Sequence, residues 1–388
     1  MKRFLLRFNW LSFVSMLALI TIGAFVLASA GAARGGVFAS HWKSMLGTAA
    51  VGLVFYFVLA FLDYRTVMDW IAYPGFGFAL FLLVAVLLVG TTQFGGRRWL
   101  WFFQPSEISK LFVILCLAQL FGAEGELFRG QYGFRGFLAA GGLIAVPCLL
   151  ILLEPDLGTT LTLVPALLVM LLVAGVWRKG LVVLLAAGAV AATAVLGAVY
   201  EAERPGTSPE RRAAILKYVP LREHQVSRVK TFLFPERDSL DSGYNLRQAT
   251  MTIGSGGLVG KGYGKGEAIR RELMPAMGVM NDFIFCVWAE EMGYLKGSLA
   301  LLALYGLLCV STAWTALVAG DGRGRLLAFG IATLVFAHVY VNIGMSIGLV
   351  PITGLPLPFL SLGRTFLVTV MCGLGLVQSV SLHREEKE

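Results

Sequence analysis

Apolar residues in this chain fall in long, nearly unbroken runs, unlike the alternating or one-sided patterns of a soluble fold. Ten runs stand out, roughly 11–30, 44–62, 67–90, 105–122, 136–153, 159–177, 180–200, 295–318, 326–348 and 365–382. Each is close to the ~20 residues that let a helix cross the hydrocarbon core with its backbone groups bonded internally. The pattern predicts an all-α polytopic membrane protein with ten transmembrane helices, one integral membrane domain over residues 1–388.

One polar interval is far longer than the others. Residues 201–282 open on Glu201-Ala-Glu-Arg-Pro-Gly and pass through a basic stretch studded with Tyr, Phe and Leu. They then reach a glycine run, Gly254-Ser-Gly-Gly-Leu-Val-Gly-Lys-Gly-Tyr-Gly-Lys-Gly266. Mixed basic and apolar residues predict short amphipathic helices lying on the membrane face or over a cavity. The glycine run has two readings. Its backbone amides could approach phosphate oxygens, with Lys261 and Lys265 adding charge, or it could be a flexible turn between surface helices. It lacks the Gly-Lys-Ser/Thr of a nucleotide P-loop.

Composition supports the membrane reading, with 57% hydrophobic and only 14% charged residues. The net charge of +9 would suit a nucleic acid only if the basic residues shared one soluble face, and they do not. It is mainly a topology signal. With both termini cytoplasmic, twelve Lys and Arg fall in inside segments, against five in the short outside loops: Arg34, Lys43, Arg97, Arg98 and Arg364. The 201–282 interval is then extracytoplasmic. Lys2, Arg3 and Arg7 before the first run resemble a signal peptide, but the run is long enough to read as an uncleaved span. Five scattered cysteines without a C-x-x-C pair, and four unclustered histidines, suggest neither a disulfide framework nor a zinc site. His338, inside the ninth run, reads as a packed or hydrogen-bonded histidine.

In this topology the uncommon polar residues collect on one side. Arg97, Arg98, Trp99, Gln104, Glu107 and Lys110 sit at the start of span four. Glu107 and Lys110 are three residues apart, so a helix puts them on one face. Charge in lipid costs roughly 2.5–3.5 kcal/mol per group at the bilayer centre, so this pair needs a reason. Glu154-Pro-Asp-Leu-Gly-Thr159 marks the turn between spans five and six, where Pro155 suits a first helical turn and Asp156 a helix cap. Asn281-Asp-Phe-Ile-Phe285 enters the eighth apolar segment, and Pro351, Thr353, Gly354, Pro356, Pro358, Ser361 and Arg364 precede the last. Proline-rich backbone at membrane depth is tolerated where protein or a wet cavity covers it. Such a cluster could bind a pyrophosphate-linked lipid and deprotonate a sugar hydroxyl, coordinate a divalent cation, or line an ion path.

The longest motifs run in order through almost the whole chain. They are Gly96-Arg-Arg-Trp-Leu, Gln104-Pro-Ser-Glu-Ile-Ser-Lys, Glu154-Pro-Asp-Leu-Gly-Thr, Gly243-Tyr-Asn-Leu-Arg-Gln and Ile253-Gly-Ser-Gly-Gly-Leu-Val-Gly-Lys-Gly. Asp282-Phe-Ile-Phe-Cys-Val-Trp-Ala-Glu-Glu and Asn342-Ile-Gly-Met-Ser-Ile-Gly-Leu-Val-Pro-Ile-Thr-Gly-Leu-Pro-Leu-Pro-Phe-Leu-Ser follow. Together they resemble the SEDS (shape, elongation, division and sporulation) family of bacterial cell-wall proteins, its rod-shape branch more than its division branch.

The resemblance implies a peptidoglycan glycosyltransferase of the bacterial cytoplasmic membrane. Such proteins polymerise lipid II at the outer face into β-1,4 glycan during cell elongation and release undecaprenyl pyrophosphate. The family's essential acid maps onto Asp282, with the expected role of general base on the acceptor 4-hydroxyl. Arg98, Lys110 and Lys261 would offset pyrophosphate charge, Glu107 would orient Lys110, and Trp99 would pack on lipid or sugar. Gln104, Glu154, Asp156, Ser361 and Arg364 would complete the substrate-binding wall. No cofactor is implied outright; Mg²⁺ or Mn²⁺ is the cation that could join the pyrophosphate. The implied partner is a class B penicillin-binding protein, a transpeptidase docking on the outer loop and later spans. A lipid II flippase and a non-catalytic scaffold for that transpeptidase are the rival readings.

Three departures from the family pattern stand out. Pro275-Ala-Met-Gly-Val-Met-Asn precedes Asp282 where the family has Glu and His-Thr. Ser361-Leu-Gly-Arg-Thr-Phe replaces a small, polar stretch and adds Arg364. Glu267-Ala-Ile-Arg-Arg-Glu replaces a Gly-Thr-Gln type of segment.

Overall fold

The computed structural model describes residues 6–93, 96–101, 103–122, 133–154, 156–219, 221, 223–236, 242–271 and 275–384. The spans are α1 (Trp10–Arg34), α2 (His41–Phe61, entered through a 3₁₀ turn at Gly36–Ser40), α3 (Tyr64–Val89), α4 (Pro105–Gly122), α5 (Phe134–Leu153), α6 (Leu157–Val173) and α7 (Arg178–Glu203). Beyond the long polar interval come α12 (Ile284–Met292) and α13 (Leu299–Val318), joined by a π-helical segment, Gly293–Ser298, into one span. Then follow α14 (Gly322–Ser346) and α15 (Arg364–Leu382). Among the described residues nine of these segments are long and apolar enough to cross a membrane. The tenth, α6, is apolar but shorter: Asp156 caps its start through the Thr159 N–H at 3.1 Å, and it stops at Val173, ahead of Gly175 at φ +74°.

Two placements differ from the sequence expectation. The eighth span begins at Ile284, not near 295. Glu290 and Glu291 interrupt its hydropathy, yet both are buried and supplied with donors by the chain around them. The fold is helical, as the apolar runs predict, with one short hairpin among the described residues. Arg98 and Trp99 lie on a two-stranded hairpin, β1 (Thr91–Gln93) and β2 (Gly96–Trp99), and not on the start of span four. Its β-branched Thr91 and aromatic Trp99 suit extended backbone.

The centre of the bundle is built by α4, α14 and α15, whose apolar windows are 78%, 78% and 83% buried. Around them α2 packs along α15, α3 along α4, and α6 and α13 along α14. By contrast α7 is only 6% buried and stands at the rim.

Arg7 donates to the Arg384 carbonyl at 2.7 Å, and the Ser381 hydroxyl to the Arg7 carbonyl at 2.6 Å, so the two described chain ends meet. The Arg65–Asp321 ion pair at 3.1 Å brings the α2–α3 and α13–α14 turns to the same end. The opposite end gathers the hairpin, the α5–α6 turn, the proline-rich segment 347–363 and four short helices: α8 (Pro209–Leu216), α9 (Glu223–Leu233), α10 (Ser242–Ser255) and α11 (Ala276–Asn281). Arg129, Lys2, Arg3, Lys387 and Pro155, which carried parts of the sequence argument, lie outside the described residues.

Candidate functional site

Three polar segments converge at the end of the bundle away from the termini. Asp156 anchors the first contacts. Besides the Thr159 backbone it accepts the Thr159 hydroxyl at 2.9 Å and the Gln104 carboxamide at 2.9 Å. Arg98 on β2 approaches the same carboxylate at 3.9 Å and donates to the Glu154 carbonyl at 3.3 Å. Asp156 thus caps α6 and faces the site at once. Glu154 is fully buried, and burial pushes its carboxyl up to about 9, with Asp156 adding to the rise and Arg98 opposing it. At neutral pH Glu154 is therefore a neutral acid.

Asp282 ends α11, immediately before span eight. Burial pushes its carboxyl up to about 6, against the pull of Arg228 and Arg98. Arg228 comes from α9 and donates to the Thr353 carbonyl at 3.1 Å. Burial and the neighbouring Arg98 push the Arg228 guanidinium down, while Asp156 and Asp282 hold it up. Gly354 takes φ +74°, and a Cβ there would sit 3.4 Å from Asp282 Oδ2, so the proline-rich backbone passes directly beside the carboxylate. From α14 the Asn342 carboxamide donates to both the Asp282 and Leu355 carbonyls, at 2.8 and 2.7 Å. Two arginines, Asp156 and a basic-enough aspartate thus face one another across a site roofed by α9.

Behind this layer Lys110 is completely buried, its Nζ 2.7 Å from Glu107 Oε2 and 2.9 Å from His338 Nε2. It lies over the Phe366 ring at 5.2 Å, and His338 stacks on the same ring. The Glu107–Lys110 pair expected from the sequence forms, and Asp156 acts electrostatically on Glu107. It buttresses the site from beneath.

Three expected substrate contacts are placed differently. Lys261 is bound to Glu290 at 2.8 Å, within the glycine segment. That segment wraps span eight: Lys261 and Gly262 donate backbone bonds to the Glu290 and Glu291 carbonyls at 3.0 and 2.9 Å. Glu290 also accepts the Glu267 and Ala268 N–H groups at 2.9 and 3.2 Å. Gly260 is required here, since a Cβ would lie 2.3 Å from the Glu291 carbonyl oxygen. The run is thus a docking collar, because its amides are spent on glutamates of the same chain. Ser361 is buried, and its hydroxyl accepts the Leu357 N–H at 2.8 Å, closing the proline-rich turn. Arg364 is exposed and borders an apolar groove of about 670 Å³ between α2, α3, α4 and α15. The Thr365 hydroxyl, next to Arg364, accepts the Gln104 N–H at 3.2 Å and so links groove to site. Trp99 is half-buried on β2.

Sequence reasoning passed over Arg228 as a site residue, since it sits in an amphipathic stretch with no motif. Asn342 was within a matching motif but carried no assigned role. Among the described residues no three His, Cys, Asp or Glu side chains gather as metal ligands, and both Asp156 oxygens already accept hydrogen bonds. The described residues do not by themselves form a cage for Mg²⁺ or Mn²⁺, so such a cation would depend on the pyrophosphate's own oxygens.

A family model described as a cell cycle protein, covering FtsW, RodA and SpoVE, matches residues 9–386. The chain is 35% identical over 376 residues to peptidoglycan glycosyltransferase MrdB of Escherichia coli, covering 95% of this chain and 92% of that one. Among solved structures it resembles a chain of a peptidoglycan synthase complex, described for the coordination of polymerization and crosslinking. The TM-score is 0.73 at 31% identity, over 98% of this chain and 99% of the other. It also resembles the rod shape determining protein RodA of Thermus thermophilus, with a TM-score of 0.67 at 27% identity and 98% coverage of both chains.

Proposed function

The chain belongs to the FtsW, RodA and SpoVE family, and from that premise we propose that it is a peptidoglycan glycosyltransferase polymerising lipid II into β-1,4 glycan. The observation that carries the reading is the gathering of Asp282, Arg98 and Arg228 around the Gly354 backbone at one end of the bundle, where both arginines act electrostatically on the carboxylate. A carboxyl at about 6 is ionised at neutral pH yet more basic than an ordinary aspartate, as a general base should be.

The chemistry is an inverting displacement. Asp282 takes the proton of the acceptor sugar's 4-hydroxyl as that oxygen attacks the donor's anomeric carbon. The bond to the pyrophosphate breaks, and undecaprenyl pyrophosphate leaves with the electron pair. Arg98 and Arg228 offset the charge that develops on it. Asp156 and Gln104 hold Arg98 and the α6 start in place, and Glu154, being neutral, adds no repulsion toward the anion. The apolar groove ending at Arg364 has the character for a polyprenyl chain. The site opens to the outer face, with both termini cytoplasmic; the positive-inside bias of the loops supports this orientation. Likeness to a chain of a peptidoglycan synthase complex supports a class B penicillin-binding protein as partner.

Purified protein incubated with lipid II should yield glycan polymer and free undecaprenyl pyrophosphate. Movement of lipid II across proteoliposomes with no polymer formed would replace this reading with a flippase.

A further inference from the structure

Arg228 reaches the site from α9, a helix that is not anchored in the membrane. What anchors it is α7. Glu203, the last residue of that span, holds Arg212 of α8 through contacts of 2.7 and 2.9 Å and Lys230 of α9 at 3.2 Å. Its side chain is 10% exposed, while Arg212 and Lys230 are 49% and 33% exposed, so the acid is the sheltered centre of the knot. A small apolar core separate from the main one completes the joint: Val199 of α7 packs with Val219 and Val226, and Val229 and Leu233 of α9 close over them. Two residues before Lys230, Arg228 emerges on the site side and bonds the Thr353 carbonyl.

We infer that Glu203 is a positioning residue for the transfer reaction: it fastens α8 and α9 to the outer end of α7 and so sets Arg228 against the pyrophosphate and Asp282. The inference rests on the glycosyltransferase reading above. It adds that α7, α8 and α9 act as one arm.

The test uses full-length protein in lipid nanodiscs. Glu203→Ala is compared with wild type and with Glu201→Ala, an exposed neighbour paired with Arg204. Losing one charged contact to the pyrophosphate predicts a roughly tenfold rise in KM for lipid II in Glu203→Ala, with Glu201→Ala unchanged. The acidic limb of the polymerisation profile should move to higher pH. Two cations face Asp282, Arg98 on β2 and Arg228 on α9, and withdrawing one leaves its carboxylate less stabilised. Amide hydrogen exchange should speed up across α9 and stay unchanged in α14. Should Glu203→Ala fold poorly, Arg212→Ala/Lys230→Ala cuts the same knot from the other side. Reversing all three charges, Glu203→Lys with Arg212→Glu and Lys230→Glu, should restore KM and the pH profile. Wild-type KM, pH profile and α9 exchange in the knot variants would overturn the inference. Absence of polymer from wild type would overturn the glycosyltransferase reading, while the exchange measurement would still decide whether Glu203 holds α9.

Discussion

The carboxamide of Asn342 donates to the main-chain carbonyl of Asp282 at 2.8 Å while also holding the Leu355 carbonyl at 2.7 Å. One fully buried side chain on α14 therefore joins the proposed base to the proline-rich segment beside it. Asn342→Ala removes both bonds and strands two carbonyls. We expect a fall in kcat of about tenfold from the lost alignment, and a stability loss of roughly 1–3 kcal/mol. Polymerisation kinetics and a thermal melt of the same preparation check both. An unchanged kcat would show that Asp282 is positioned without Asn342.

Asp282 also makes a prediction about pH. Its carboxyl holds a proton more tightly in the folded protein, at about 6, than at its ordinary 3.8. As a base it must be ionised, so the rate should fall as pH drops through about 6. Stability runs the other way. The group favours folding fully below 3.8, and that contribution is lost as pH rises through about 6. Asp282→Asn keeps the shape without the charge, so it should be inactive yet melt higher than wild type at pH 8, with the advantage gone at pH 4.

The buried Lys110 cannot be removed alone without stripping the buried Glu107 of its partner. Lys110→Met should destabilise the protein by about 3–5 kcal/mol, as breaking a buried pair does. Adding Glu107→Gln should recover part of that loss. Thermal melts of the two single variants and the double would show additive losses if the 2.7 Å contact were energetically idle.

Lys261 and Arg98 separate two roles that the sequence had merged. Lys261→Ala takes one donor from Glu290 but leaves the Glu267 and Ala268 amides on it. It should lower the melting temperature with KM for lipid II unchanged. Arg98→Ala should raise that KM about tenfold or more. A rise in KM for Lys261→Ala without loss of stability would return Lys261 to the substrate.

What the sequence revealed, and what it hid, follows from the range of the forces involved. Unbroken hydropathy fixed the spans, because satisfying the backbone in lipid leaves few alternatives. Glu107 and Lys110 were legible as a pair because three helical residues set their distance. Asp156 and Asp282 were legible through their motifs. The beginning of span eight was not, since the donors that let Glu290 be buried come from a glycine segment more than twenty residues upstream, and a donor to Glu291 is Ser29 of α1. Arg228 was hidden for the same reason: α9 is fastened toward the site by a joint with α7, more than twenty residues upstream of it. Lys261 was misplaced because a glycine-lysine run looks alike whether its amides face a phosphate or a glutamate.

The central claim is that Asp282 performs the transfer. The most direct measurement is lipid II polymerisation by purified wild type and Asp282→Ala, matched for folding by thermal melt and for lipid II binding. The account predicts glycan strands from wild type and none from the variant, with binding retained. Equal polymer from both would contradict it.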